Sequence, residues 1–201
     1  MKLICIGRNY SEHIIELENE KPTDPVIFLK PDTAILVKKQ PFFIPDFSND
    51  VHHEVEILVK INKVGKYIDK KFAHKYYDEI GLGIDFTARD VQSKLKEKGL
   101  PWEKAKGFDH SAVISKFLPL EHFGVVGSAP IKGLNFSLLK NNQIVQQGNT
   151  DFMINSIDEI ISHISQYFTL KIGDYIFTGT PAGVGKVNAN DQLTGLIENT
   201  E

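Results

Sequence analysis

The stretch His53-Glu54-Val55-Glu56-Ile57-Leu58-Val59-Lys60-Ile61 decides the architecture. Val55, Ile57, Val59 and Ile61 fall on alternate positions, the period of one sheet face. The other face carries Glu54, Glu56, Leu58 and Lys60. Carboxylates two residues apart on a strand point the same way, with Cα atoms roughly 6.5 to 7 Å apart. They repel, and a cation between them relieves the repulsion. A solvated outer face produces the same alternation, and the pair by itself favours that simpler reading.

Further strands follow outward from this one. Leu3 to Ile6, Val26 to Lys30, Leu82 to Phe86 and Tyr175 to Phe177 are short apolar runs bounded by turn residues. Pro31, Pro41 and Pro45 punctuate a region of short strands and turns. Leu134 to Lys140 and Gln143 to Gln147 flank Asn141-Asn142, the signal of a β-hairpin. Three helices interrupt the strands. Tyr10 to Glu18 has helical character with Ser11 as its cap, and the polar Asn19 to Pro25 forms a loop. Thr87 reads as a second N-cap with Asp90 three residues on, and Gly99 and Pro101 stop that helix. Ser156 and Glu159 make a capping box ahead of Ile157, Ile160, Ile161 and Ile164, the stripe of an amphipathic helix. The class is α+β, dominated by strands.

Composition narrows the function classes. The 201 residues carry 23 Lys plus Arg against 26 Asp plus Glu, a net charge of −3, which is no electrostatic footprint for nucleic acid. There is no polybasic segment for an anionic membrane and no apolar run near the ~18 residues of a span. One cysteine, Cys5, excludes an internal disulfide. The N-terminal apolar run is too short for a signal peptide. A soluble protein of the reducing cytoplasm is expected, folded as one domain over 1–201.

Several side chains are candidates for chemistry. Asp85 ends an apolar strand just before a helix start, a common place for ligand groups. With Glu54 and Glu56 it makes three carboxylates and no thiolate, which suits a hard cation such as Mg²⁺, Mn²⁺ or Ca²⁺. On spacing alone, a metal site and a solvated or capping acid stay equally open. His52 and His53 adjoin the glutamates, but HEVE on a strand is not the helical HExxH of a zinc protease. A partly buried structural role fits each of them. His13 and Glu16 share one helix face, where a carboxylate can orient an imidazole as a general base. Arg89 and Gln92 form a second such pair, and Lys106 could bind an anion or polarise a carbonyl. Each of these is weak alone, since an exposed polar helix face looks the same.

Gly179 to Lys186 reads GTPAGVGK. Thr180 stands where a P-loop needs its first glycine, Val187 replaces the Ser or Thr, and the GxGxxG spacing is absent. A tight turn bringing backbone amides and Thr180 toward a small anion fits better.

Taken together, the segments resemble the fumarylacetoacetate hydrolase family, in particular its short branch of acylpyruvases and oxaloacetate decarboxylases. Gly7-Arg8-Asn9-Tyr10, His52-His53-Glu54-Val55-Glu56 and Asp85-Phe86-Thr87-Ala88-Arg89-Asp90-Val91-Gln92 carry the resemblance. So do Lys98-Gly99-Leu100-Pro101-Trp102, Lys106-Gly107-Phe108-Asp109 and Thr178-Gly179-Thr180-Pro181-Ala182-Gly183-Val184-Gly185. They run in family order over nearly the whole chain. The chain starts at the strand before Arg8, as the short branch does, and reaches Glu201 soon after Gly195-Leu196-Ile197, where family members continue through a closing strand.

The resemblance implies a mixed β-sandwich or β-roll and a homodimer. It implies that Glu54, Glu56 and Asp85 bind one divalent ion, Mg²⁺ foremost, and that His13 and Glu16 are catalytic on a lid over 10–24. Lys106 is then catalytic as well, with Arg8, Arg89, Gln92 and Thr180 lining a site for a small 2-oxo acid. The leading expectation is hydrolysis of an acylpyruvate or fumarylpyruvate to pyruvate and a carboxylic acid. In that reaction His13 activates water and Lys106 steadies the oxyanion. Oxaloacetate decarboxylation, or isomerisation of 2-hydroxyhepta-2,4-diene-1,7-dioate, is the alternative within the family. A non-catalytic metal-stabilised acid-binding protein is the distant one.

Overall fold

The computed structural model describes residues 1–17, 22–125, 131, 133–198 and 200–201. Its strands are β1 Leu3–Gly7, β2 Val26–Lys30, β3 Val51–His53, β4 Val55–Lys60, β5 Glu79–Asp85, β6 Thr87–Ala88 and β7 Ala112–Ile114. They continue with β8 Leu118–Pro119, β9 Asn135–Lys140, β10 Gln143–Asn149, β11 Tyr175–Phe177, β12 Gly185–Lys186 and β13 Leu193–Ile197. The helices are α1 Ser11–Glu16, α2 Lys70–Ala73, α3 Arg89–Glu97, α4 Glu103–Lys106 and α5 Ile157–Tyr167.

The main sheet runs β2-β1-β11-β4-β5-β7, with β8 also paired to β5. Only β1 and β11 pair in parallel within it. Two three-stranded sheets flank it, in the orders β10-β9-β13 and β12-β3-β6. Strands dominate and the helices are short, as the pattern of alternation predicts.

Both faces of the main sheet are buried. Val55, Ile57, Val59 and Ile61 join Ile4 and Ile176 beneath the Ile157, Ile160, Ile161 and Ile164 stripe of α5. That stripe is fixed at its start by the predicted capping box, in which Ser156 and Glu159 satisfy each other's backbone. The opposite face holds Leu3, Cys5, Leu58 and Phe177. Register places Cys5 level with Phe28 and Phe177, Phe177 level with Leu58, and Leu3 level with Lys30. Glu56, two residues before Leu58 on β4, shares this covered face and is not in water. The solvated-face reading of Glu54 and Glu56 fails for this reason: both are buried.

The hairpin at Asn141-Asn142 forms with both residues at positive φ, the conformation of a two-residue hairpin turn. Four local expectations are corrected. Tyr10, not Ser11, is the N-cap of α1, and no side chain caps that helix. Thr87 lies one residue too early to cap α3, whose N-cap is Ala88, because Thr87 is paired with His52 as a strand. Between Pro31 and Pro45 there is a 3₁₀ turn at Asp32–Ala34 and a single bridge from Ile35 to Ala112 in place of strands. The stretch from His53 is not one continuous strand, since β3 and β4 belong to different sheets and part at Glu54. Of the lid over 10–24 and the Asn19 to Pro25 loop, residues 18–21 lie outside the described residues.

Candidate active site

The break at Glu54 builds the site. There the chain leaves the small sheet for the large one, and the Asp85 N–H donates to the Glu54 carbonyl at 2.8 Å. Glu54, Glu56 and Asp85 are all buried, and they offer carboxylate oxygens within 4.8 Å of one another. Burial of three acids together demands cations, and the fold supplies them. The Lys106 ammonium donates to Glu54 Oε2 and Asp85 Oδ2, both at 2.8 Å, and to Thr87 Oγ1 at 2.6 Å. The Arg89 guanidinium pairs with Glu54 Oε1 through Nη2, and its Nη1 donates to Gln92 Oε1 at 2.6 Å. Lys30, at the end of β2, reaches Asp85 Oδ1 at 2.7 Å and also donates to Ser111 Oγ at 2.9 Å and to the Lys106 carbonyl.

The electrostatics follow from these contacts. Burial opposes charge on Glu54, but Lys106 and Arg89 win and hold its carboxyl well below the usual range. Burial raises the Glu56 carboxyl well above its ordinary value, and Asp85 and Glu54 push the same way. Lys106 is itself fully buried, yet Asp85 and Glu54 overcome the desolvation and raise its pKa. Glu56 is thus the acid with most to gain from a further cation. That imbalance, together with an all-oxygen donor set, fits a hard divalent ion.

A cleft lies above the acids. Arg8, His13, Glu54, Glu56, Asp85, Arg89, Gln92, Lys106 and Thr180 all line it, nine of the ten side chains picked out from the sequence. The tenth, Glu16, stands behind His13: its Oε2 is 3.2 Å from His13 Nδ1. The exposed-face alternative for this pair fails, because His13 is buried. Burial lowers the His13 pKa, so the imidazole is a free base at neutral pH. Its partner at Nδ1 assigns the proton there and leaves Nε2 as the basic atom.

The glycine-rich loop has a different use from the one its spacing suggests. The Gly179 N–H donates to Glu56 Oε2 at 2.7 Å, so the small anion it holds is one of the protein's own carboxylates. Gly179 has φ of +99°, and a Cβ there would meet Asn9 Cβ at 2.6 Å. Asn9, buried beside α1, donates to the Thr178 carbonyl at 2.8 Å and accepts from Asn155 N–H at 2.8 Å. This ties the root of the helix that carries His13 to the loop that holds Glu56. The histidines beside the glutamates take structural partners: His52 Nε2 lies 3.0 Å from Asp50, and His53 Nδ1 lies 3.0 Å from Gln146 Oε1.

Sequence reasoning passed over Lys30, Thr87 as a partner of Lys106, Lys96 and Trp102 in the cleft wall, and Gln146. Lys30 sits at the end of an apolar strand and gave no local sign of burial. The groups that the Gln146 side chain hydrogen-bonds are all remote from it in sequence.

Residues 2–199 match the family model described as fumarylacetoacetate (FAA) hydrolase C-terminal. The chain is 42% identical over 193 residues to oxaloacetate tautomerase YcgM of Escherichia coli strain K12, covering 96% of this chain and 86% of that one. It is 44% identical over 203 residues to a mitochondrial oxaloacetate decarboxylase of Dictyostelium discoideum, covering 97% and 89%. Among solved structures, fumarylpyruvate hydrolase from Pseudomonas aeruginosa, in complex with Mn²⁺ and pyruvate, superposes with a TM-score of 0.90. It is 32% identical, covering 98% of this chain and 85% of that one. No helix of the described residues is long and apolar enough to cross a membrane.

Proposed function

Because the chain belongs to the fumarylacetoacetate hydrolase family, we propose that it is a divalent-metal-dependent enzyme of small 2-oxo acids whose reaction is the keto–enol interconversion of oxaloacetate. The relatives named for oxaloacetate are 42% and 44% identical, against 32% for the fumarylpyruvate hydrolase. Acylpyruvate hydrolysis, the leading expectation from the resemblance, therefore moves behind the oxaloacetate alternative.

One observation carries the reading. A neutral imidazole, His13, and an ammonium held protonated, Lys106, line the same cleft. That sets a base beside a fixed positive charge, the polarity enolisation needs. Glu54, Glu56 and Asp85 would hold Mg²⁺ or Mn²⁺. When bound, the ion supplies Lewis-acid stabilisation of negative charge on the carboxylate and keto oxygens of a 2-oxo acid. His13 Nε2 accepts a proton from C3, and the C–H electron pair becomes the C2–C3 double bond. The keto oxygen takes the displaced charge beside the Lys106 ammonium, whose fixed positive charge steadies it, and the enolate oxygen takes its proton from water. Glu16 keeps the imidazole in the tautomer that leaves Nε2 free. Arg8 and Arg89, in the cleft wall, match the charge of a dianionic substrate. Closure of α1 over the substrate excludes bulk water.

Cleavage of a C–C bond is the second reading, because breaking C3–C4 with loss of CO₂ also places negative charge on the C2 oxygen, there in the enolate of pyruvate. The test is to dilute enol-oxaloacetate into buffer with protein and Mg²⁺, and to follow enol absorbance and pyruvate together. Rapid enol loss with little pyruvate supports the tautomerase reading. Pyruvate appearing in step with enol loss turns the assignment to decarboxylation.

A further inference from the structure

Gln146 is a buried side chain to which nothing above assigns a part in the reaction, and its four hydrogen bonds all run to site elements. Its Oε1 accepts the Val55 N–H at 3.0 Å and faces His53 Nδ1 at 3.0 Å. Its Nε2 donates to Thr180 Oγ1 at 2.9 Å and to the Pro181 carbonyl at 3.0 Å. Val55 lies between Glu54 and Glu56, and His53 precedes Glu54, so the acceptor end grips the chain on both sides of the first carboxylate. The donor end grips the loop whose Gly179 N–H holds the second.

The strand break explains why such a group is needed. His53 pairs with Gly185 in one sheet and Val55 with Ile84 in another. A buried backbone N–H at this junction must find a partner, and Gln146 provides it from the third sheet. Its placement is built in: the β9–β10 register shifts between Ile144 and Gln146, and a bulge of this kind re-aims a side chain. The loop is also moulded to it. Gly183 has φ of +96°, and a Cβ there would meet the Val145 carbonyl oxygen at 2.3 Å and Gln146 Cγ at 3.2 Å. The N–H of that same glycine donates to Glu16 Oε1 at 2.9 Å.

We propose that Gln146 is a positioning residue: its carboxamide fixes the Glu54–Glu56 segment against the Thr180–Gly183 loop, and so sets metal affinity and substrate binding together. It acts through the groups it holds and touches neither ion nor substrate. The inference rests on the metal-dependent reading given above. Partners of this kind behind ligands typically govern affinity by 10- to 100-fold.

The test compares unsubstituted protein with Gln146→Met, which keeps length and loses all four bonds. Mn²⁺ affinity is measured by calorimetry, KM and kcat at saturating Mn²⁺, and thermal stability without metal. Mn²⁺ Kd rising about 10-fold or more, with KM raised more than kcat is lowered, is the expected result. Unchanged Kd and KM with only a lower Tm assigns Gln146 a structural role and overturns the inference. Failure of the unsubstituted protein to bind Mn²⁺ overturns the metal-dependent reading itself, and this inference with it. Gln146→Asn, one methylene too short to span both partners, replaces the methionine variant if that does not fold, with the same expected and overturning results.

Discussion

The Glu16 carboxylate faces two ways: Oε2 lies 3.2 Å from His13 Nδ1, while Oε1 accepts the Gly183 N–H at 2.9 Å. The group that orients the base is thus also the group that fastens α1 to the loop over Glu56. Orientation of the imidazole and docking of the helix on that loop depend on the same carboxylate in this arrangement. Glu16→Gln keeps the shape and weakens both contacts. It is expected to lower kcat/KM by about 10- to 100-fold, within the range of general-base effects. Steady-state kinetics with Mn²⁺ binding measured in parallel checks this, and the binding should be unaltered.

His13→Ala removes the basic nitrogen itself. Enolisation should fall by about 10²- to 10⁴-fold, with Mn²⁺ affinity retained because His13 is not among the three carboxylates. Burial lowers the His13 pKa below its ordinary 6.5. The acid limb of the rate profile should therefore fall below pH 6.5. An acid limb above 6.5 that persists in His13→Ala would assign it to another group.

Lys96 gives the opposite limb. Burial and the neighbouring charges of Arg8, Arg89 and Lys106 push its pKa down to about 8. Its charge is present below that value and lost above it. KM for a dianionic substrate should rise as pH passes about 8, with kcat changing less. Lys96→Arg keeps the charge and should flatten the rise.

Glu56→Gln separates stability from function. The Glu56 carboxyl is raised by burial and by Asp85 and Glu54. A raised carboxyl favours folding below its unfolded value, and that contribution is lost as pH climbs through the folded value. Metal-free protein should lose stability over that interval, and Glu56→Gln should lose less. Urea denaturation across pH in EDTA measures the difference. The same variant should bind Mn²⁺ much more weakly, a gain in metal-free stability at the expense of the site.

Lys30→Met tests the buried pair with Asp85, whose two side chains are fully inaccessible. Removing one partner of such a pair costs about 3 to 5 kcal/mol. A loss near the lower end is expected, because Lys106 still faces Asp85. Denaturant midpoints in EDTA read it directly.

What could be read in advance was what repeats locally. Alternation at Val55, Ile57, Val59 and Ile61, the Ser156–Glu159 box and the Asn141-Asn142 turn each depend on neighbours within a few residues, and each is present. The three carboxylates were recognisable as a set because Glu54 and Glu56 are two residues apart in an alternating run and Asp85 ends the strand that pairs with β4. Burial of that face was not legible, since a solvated strand and one covered by distant segments show the same alternation. Lys30 and Gln146 were missed for the same reason, lying 55 residues from Asp85 and 91 from Val55. Thr87 was misread because a threonine before a helix is ordinarily its cap, whereas here strand pairing with His52 wins.

Proton exchange at C3 of oxaloacetate tests the central claim most directly. In D₂O, proton NMR follows loss of the C3 methylene signal with protein and Mg²⁺, with EDTA, and with His13→Ala. Rapid deuterium incorporation that needs both Mg²⁺ and His13 and outpaces pyruvate formation is the predicted result. No exchange above the protein-free rate, or exchange indifferent to His13, would contradict the assignment of this cleft to enolisation.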